Sequence, residues 1–191
     1  MKRILIGLGT AAGAFALAAC GTSAAAPGPA APAAGSPAGG GVAAASTATP
    51  RCTTADLSVS LGKAVEKSPG QFDVPLTYRN VSDHTCGLHG VPGVDLVGPD
   101  DPTFGPVYHL PRVDNGVKYN EVTPGTTASA TITVLTPSEG GASWTPAKLV
   151  TIPPGQTRPL TVGWPADLPV LRQDAATHPG SYVNGILADP A

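Results

Sequence analysis

From Thr127 to Leu135 the chain reads TASATITVL, and alternate positions separate cleanly: Ala128, Ala130, Ile132 and Val134 on one side, Thr127, Ser129, Thr131 and Thr133 on the other. Only a repeat of two sorts residues this way, so the segment predicts a β-strand with one face in a core and the other in water. Such a strand needs neighbours. Short runs of similar character occur at residues 55–61, 72–80, 94–97, 107–110, 117–122, 148–152, 159–164 and 182–187. Turn signals divide them, among them Ser68-Pro69-Gly70, Val91-Pro92-Gly93, Thr123-Pro124-Gly125 and Pro153-Pro154-Gly155, with Asn115-Gly116 suited to a tight hairpin. The 24 glycines and 22 prolines exclude long helices. The pattern predicts an all-β domain, an antiparallel immunoglobulin-like β-sandwich of about seven to nine short strands, with closure into a barrel as the alternative.

Residues 1–20, MKRILIGLGTAAGAFALAAC, begin with Lys2 and Arg3, continue through an apolar run and end in small residues before Cys20. This is the composition of a secretory leader, too short to persist as a membrane span. Leu17-Ala18-Ala19-Cys20 resembles the bacterial lipobox, which implies a signal peptide over 1–19 and diacylation of Cys20. A plain leader with an incidental cysteine is the alternative. Two acyl chains hold a protein on a membrane surface, so the expected location is the extracytoplasmic face of the cell membrane. Residues 21–50 are alanine, glycine, proline, serine and threonine with one valine and no charge, and have nothing to bury that would offset the entropy of ordering. They are expected to form a disordered tether with a root-mean-square span of about 30 Å, followed by the sandwich domain over 51–191.

An odd cysteine count in an exported chain asks what becomes of the unpaired one, and Cys20 answers. Cys52 and Cys86 remain. Outside the cytoplasm their union is favoured over two free thiols. The formal charge is −2; losing Lys2 and Arg3 leaves 9 basic residues against 13 acidic, with no basic patch for nucleic acid.

Several of these residues also carry a resemblance. Cys52 followed by Asp56-Leu57-Ser58-Val59, the run VPLTYRNVS over 74–82 leading into TCGLHGVPGV over 85–94, and Val122-Thr123-Pro124-Gly125 before an alternating strand resemble the DUF4232-type domain of actinobacterial secreted lipoproteins. The resemblance covers nearly all of residues 51–191. It implies a β-sandwich with the Cys52–Cys86 disulfide and no established biochemical activity.

His84, Cys86 and His89 invite a copper reading, but a blue-copper site needs a thiolate and usually a soft axial ligand; the only methionine is Met1, and Cys86 is expected to be oxidised. The two histidines then read as solvated loop residues. Asp100-Asp101, beside Gly98-Pro99 and Pro102, reads as a turn-capping pair rather than a catalytic one. No Gly-x-Ser-x-Gly, Ser-x-x-Lys or His-Glu-x-x-His motif occurs. The aromatics Phe72, Tyr78, Phe104, Tyr108, Tyr119, Trp144, Trp164 and Tyr182 are expected in the core, with Tyr119 and Trp144, beside loops, open to a ligand-facing role. Asn80-Val81-Ser82 fits a glycosylation sequon but reads as a polar strand end.

The expectation is a membrane-anchored lipoprotein presenting a non-catalytic binding or scaffold module, without catalytic, cofactor or metal residues, whose partner is a cell-envelope protein or glycan. The alternative is an envelope enzyme or metal-handling protein with a loop-built site drawn from His89, Asp95, His109 and Asp114.

Overall fold

The computed structural model describes residues 48–114 and 119–188. The leader, Cys20, the tether up to residue 47, the Asn115-Gly116 turn and the first two residues of the strand expected from Val117 lie outside these. Among the described residues no helix is long and apolar enough to cross a membrane.

The chain forms short strands joined by turns: β1 (Leu57–Leu61), β2 (Val65–Ser68), β3 (Gln71–Asn80), β4 (Cys86–Leu88), β5 (Gly93–Val97), β6 (Val107–His109), β7 (Asn120–Val122), β8 (Thr127–Leu135), β9 (Lys148–Ile152), β10 (Leu160–Gly163), β11 (Tyr182–Val183) and β12 (Leu187–Ala188). Two sheets make the sandwich. In the larger, β1 and β2 lie end to end along one edge of β3, β8 lines the other, and β11 and β12 lie end to end beyond β8. The β3–β8 register runs unbroken from Gln71↔Leu135 to Arg79↔Thr127. The smaller sheet has the order β10-β9-β5-β6, and β4 pairs with β7 as a separate two-stranded piece.

The all-β antiparallel class is as expected, but the strands among the described residues number twelve rather than seven to nine. β2 reads VEKS and is exposed throughout, so burial imprints no alternation on it. β4 has three residues, too few for a period to register. The run expected at 182–187 is split at Asn184, whose amide donates to Thr131 O (3.0 Å) while its side-chain oxygen accepts from Thr131 N (2.7 Å). The start of the strand expected at 55 is a 3₁₀ turn, Thr54–Asp56. There Asp56 accepts from both the amide and hydroxyl of Thr53, at 2.7 Å each, and these bonds hold its carboxyl below the usual range.

Inward-facing Val74, Leu76 and Tyr78 of β3 and Ala130, Ile132 and Val134 of β8 are buried with Val94 and Leu96 of β5, Tyr108 of β6 and Leu149 of β9. One polar contact crosses this core. Thr151 of β9 donates to Gly93 O at 2.9 Å, which uses its single hydroxyl proton, so in the 2.5 Å contact with Tyr78 the phenol is the donor. Burial pushes the Tyr78 phenol well above its ordinary pKa and keeps that proton in place.

Cys52 and Cys86 are joined, 34 residues apart and both fully buried. Around the bond, Pro50 O accepts from Gly87 N (2.8 Å) and Gly87 O from Cys52 N (3.0 Å), so the chain enters the body as a short parallel partner of β4. Asn80 closes the other side. Fully buried at the end of β3, it donates to His84 O and Val122 O at 2.8 Å and accepts from the amide and hydroxyl of Ser82 at 2.9 and 2.7 Å.

Replacing both Cys52 and Cys86 by alanine is expected to lower unfolding free energy by about 3–4 kcal/mol in urea titrations, the loop-entropy value for this closure. Asn80→Ala leaves the buried Val122 O without this donor and should cost about 1–3 kcal/mol, whereas Ser82→Ala should cost about 1 kcal/mol, by the same measurement.

Candidate functional site

The His-Cys-His cluster does not assemble. The sulfur of Cys86 is bonded to Cys52. His84 is half-exposed, with Nδ1 3.3 Å from Asp83 and Nε2 3.8 Å from Asp56, and His89 is exposed beyond β4. Of His89, Asp95, His109 and Asp114, the structure brings Asp95 and His109 together: they face each other across β5 and β6, with Nδ1 to Oδ1 at 2.7 Å. The imidazole is 76% exposed, so the pair stands on an open sheet face and nothing around it excludes water. Among the described residues no three His, Cys, Asp or Glu side chains are grouped to hold a metal.

Asp101 caps its turn, accepting from Thr103 N at 2.8 Å and Phe104 N at 2.9 Å. These two amides, assisted by the charge of Arg172, hold its carboxyl below the ordinary value. Arg172 itself has no counterpart in the sequence reading. Its side chain is 4% exposed and makes a two-point contact with Asp174 at 2.9 and 2.6 Å. It also donates to Gly105 O (2.5 Å), Val107 O (2.7 Å) and Phe104 O (3.2 Å). The guanidinium lies 4.7 Å from the Trp144 ring, with Phe104 at 5.4 Å and Tyr108 at 5.6 Å. A cavity of about 130 Å³ opens beside it, lined by Asp101, Phe104, Ser143, Trp144 and Val170.

Trp144 forms part of that cavity's wall. It is buried, its indole N–H donates to Pro99 O at 2.9 Å, and its ring lies so close to Gly98 that a Cβ there would sit 2.8 Å away. Tyr119 is half-exposed, but its ring crosses Gly87, where a Cβ would meet the phenol oxygen at 2.0 Å, and its hydroxyl donates to Thr49 O at 3.1 Å. The Thr49 hydroxyl reaches Glu121 on the same side. Tyr119 thus clamps the incoming chain. Tyr78, Tyr108 and Trp164 are buried and Phe72 packs against the core, while Phe104 is 42% exposed. Glycine at 87 is required by that crossing ring, a reason invisible in the motif around Cys86.

Two further concavities flank the body. One of about 440 Å³ lies between the 3₁₀ turn and the β9–β10 turn, lined by Thr53, Thr54, Gln156, Thr157 and Arg158. Its floor is internally bonded: the Gln156 amide donates to Cys52 O (2.9 Å) and Thr54 to Arg158 O (3.0 Å). The other, about 390 Å³, is lined by Ala64, Phe72, Pro137, Leu168 and Pro169.

A family model described as a domain of unknown function, DUF4232, matches residues 52–182. The chain belongs to the DUF4232 family. The DUF4232 match begins at Cys52, the first half of the disulfide, and ends in β11, so it takes in both central strands, the Asn80 junction and Arg172. No curated protein matches the chain.

Removing the guanidinium takes the charged donor from Asp174, Phe104 O and Val107 O, while Gly105 O keeps the Asp101 amide at 3.3 Å. Arg172→Met is expected to lower stability by about 1–3 kcal/mol in denaturant titrations. Arg172→Lys should restore only part of this, because an ammonium cannot make the two-point contact or stack on Trp144.

Proposed function

We propose that the protein is an extracytoplasmic lipoprotein, anchored through Cys20, whose DUF4232 sandwich is a non-catalytic binding or scaffold module held near the membrane for a cell-envelope protein or glycan. The observation that carries this reading is the way the chain enters the body. The last two residues of the expected tether, Thr49 and Pro50, together with Arg51 and Cys52, are held by β4 and Tyr119 and covalently locked through Cys52 to Cys86. A load applied along the tether meets a covalent bond at the first strand, which suits a body held at a distance from its anchor. Leu17-Ala18-Ala19-Cys20 and the composition of residues 21–50 supply the anchor and the spacer. The presented surfaces are hydrogen-bonded and solvated, and the polar pair Asp95–His109 lies in the open rather than in a cleft, which favours binding over turnover.

Intact-mass analysis of protein extracted from membranes is expected to find Cys20 as the first residue, carrying a diacylglyceryl group. Cys20→Ser should move the protein out of the membrane fraction. A Cys20→Ser protein that stays with the membrane would remove the anchoring claim, and turnover of a wall substrate abolished by Asp95→Asn would remove the non-catalytic one.

A further inference from the structure

We propose that the cavity between the 3₁₀ turn and the β9–β10 turn binds a peptide by its free C-terminal carboxylate, with Arg158 as the anchoring cation; this rests on the binding-module reading and names its site and ligand class. The cavity holds about 440 Å³, a volume ordinary for small-ligand sites, with residues 53–55 along one side and 156–159 along the other.

The wall formed by 156–159 is fixed in place by bonds that leave its ligand-binding groups free. Gln156 Nε2 donates to Cys52 O at 2.9 Å, and since a carbonyl can only accept, this bond settles which end of the side-chain amide is which. Oε1 is then an acceptor with no protein partner among the described residues, and the Thr157 hydroxyl and the Arg158 guanidinium have none either. The backbone beneath them is tied down: Gln156 N donates to Pro153 O at 3.0 Å, Arg158 O accepts from the Thr54 hydroxyl at 3.0 Å, and Cys52 is locked by its disulfide.

Charge around the cavity favours an anion. A second guanidinium, Arg51, lies against the same turn, so close to Gly155 that a Cβ there would sit 2.7 Å from its Nη1; it donates to Pro154 O and His89 O at 3.3 and 3.4 Å and meets no carboxylate. Asp56, the acid on the 3₁₀ turn, is already engaged. One of its oxygens accepts both Thr53 bonds and the other faces His84 Nε2 at 3.8 Å. An unneutralised guanidinium in the wall of a cavity is matched by an oxyanion, and its planar fork fits a carboxylate through two parallel bonds. Gln156 Oε1, on the same wall, asks for an N–H beside that anion. A peptide C-terminus supplies both, with its last amide one carbon from the carboxylate, whereas a phosphate has no N–H to offer.

The test is an NMR titration of the isotope-labelled, detergent-solubilised full-length protein with N-acetyl-trialanine, with its C-terminal amide and with inorganic phosphate. Saturable shifts are expected at Gln156, Thr157 and Arg158 with the free acid, while the amide and phosphate should each bind about tenfold or more weakly. Arg158→Gln should weaken the acid by a similar factor and leave thermal unfolding unchanged, because the guanidinium holds no other group. Lys148→Gln, which removes a cation at the far end of β9, should leave binding as it was. Should Arg158→Gln disturb the fold, the comparison of acid with amide on the unaltered protein still decides. Absence of shifts at these residues, equal affinity for acid and amide, or binding indifferent to Arg158→Gln would each overturn the site and leave the binding-module reading standing. Phosphate as tight as the acid would overturn it in favour of a simple anion site. Release of free alanine during the titration would instead overturn the non-catalytic reading, and this site with it.

Discussion

The bond between Cys52 and Cys86 carries more of this structure than its single crosslink suggests. β4 has three residues, its partner β7 has three, and the incoming chain beyond β4 contributes two backbone hydrogen bonds. Pieces of that length do not persist alone in water. Crosslinking residue 52 to residue 86 removes most of the freedom that would separate them, and Asn80 supplies the remaining tie by bonding both the 80–86 loop and β7 from the end of β3. Because the Thr123-Pro124-Gly125 turn leads from β7 into β8, with Gly125 at φ 80°, the same unit also sets the start of the second central strand. Gly125 N and Thr126 O then bond the backbone of Asn80 at 2.9 and 3.0 Å, bringing the ends of β3 and β8 into register.

Elsewhere the polar interior serves closure. Tyr78 and Thr151 connect the sheets at one point through the core, and Arg172 connects the 101–107 loop to the segment after β10. A guanidinium held by a carboxylate, three carbonyls and an aromatic face is satisfied in nearly every donor, which is the condition under which burying a charge is tolerated. These ties leave few polar groups over. The Tyr108 hydroxyl is the buried side-chain atom among the described residues without a hydrogen bond; Ser181 and the Gln173 backbone lie near it without reaching bonding geometry, and burial raises its pKa.

This economy bears on function. Residues that catch the eye in the sequence, Cys52, Cys86, Asn80, Trp144 and the Pro-Gly turns, take part in holding the body together, and His84, His89, His109 and His178 are exposed.

The all-β class, the long central strand at residues 127–135 and the disulfide were legible in the sequence, because a period of two, frequent turn residues and a two-cysteine remainder are local or countable signals. The boundaries of β8 and β9 were legible to the residue for the same reason. What only the tertiary structure decided are the elements without a local imprint: β2, exposed on all sides; β4, held by its neighbours; and the break at Asn184, where a side chain takes a ladder partner. Arg172 belongs with them. One arginine in a polar segment carries no mark of burial, and its role arises from three carbonyls and an aromatic ring that lie between 28 and 68 residues away in the chain. The outer face of the larger sheet stands between the two cases: alternation along β8 announced that its threonines would share a face, but the alignment of Ser60, Thr77 and Ser129 requires register, which is set by pairing across strands rather than by any one of them.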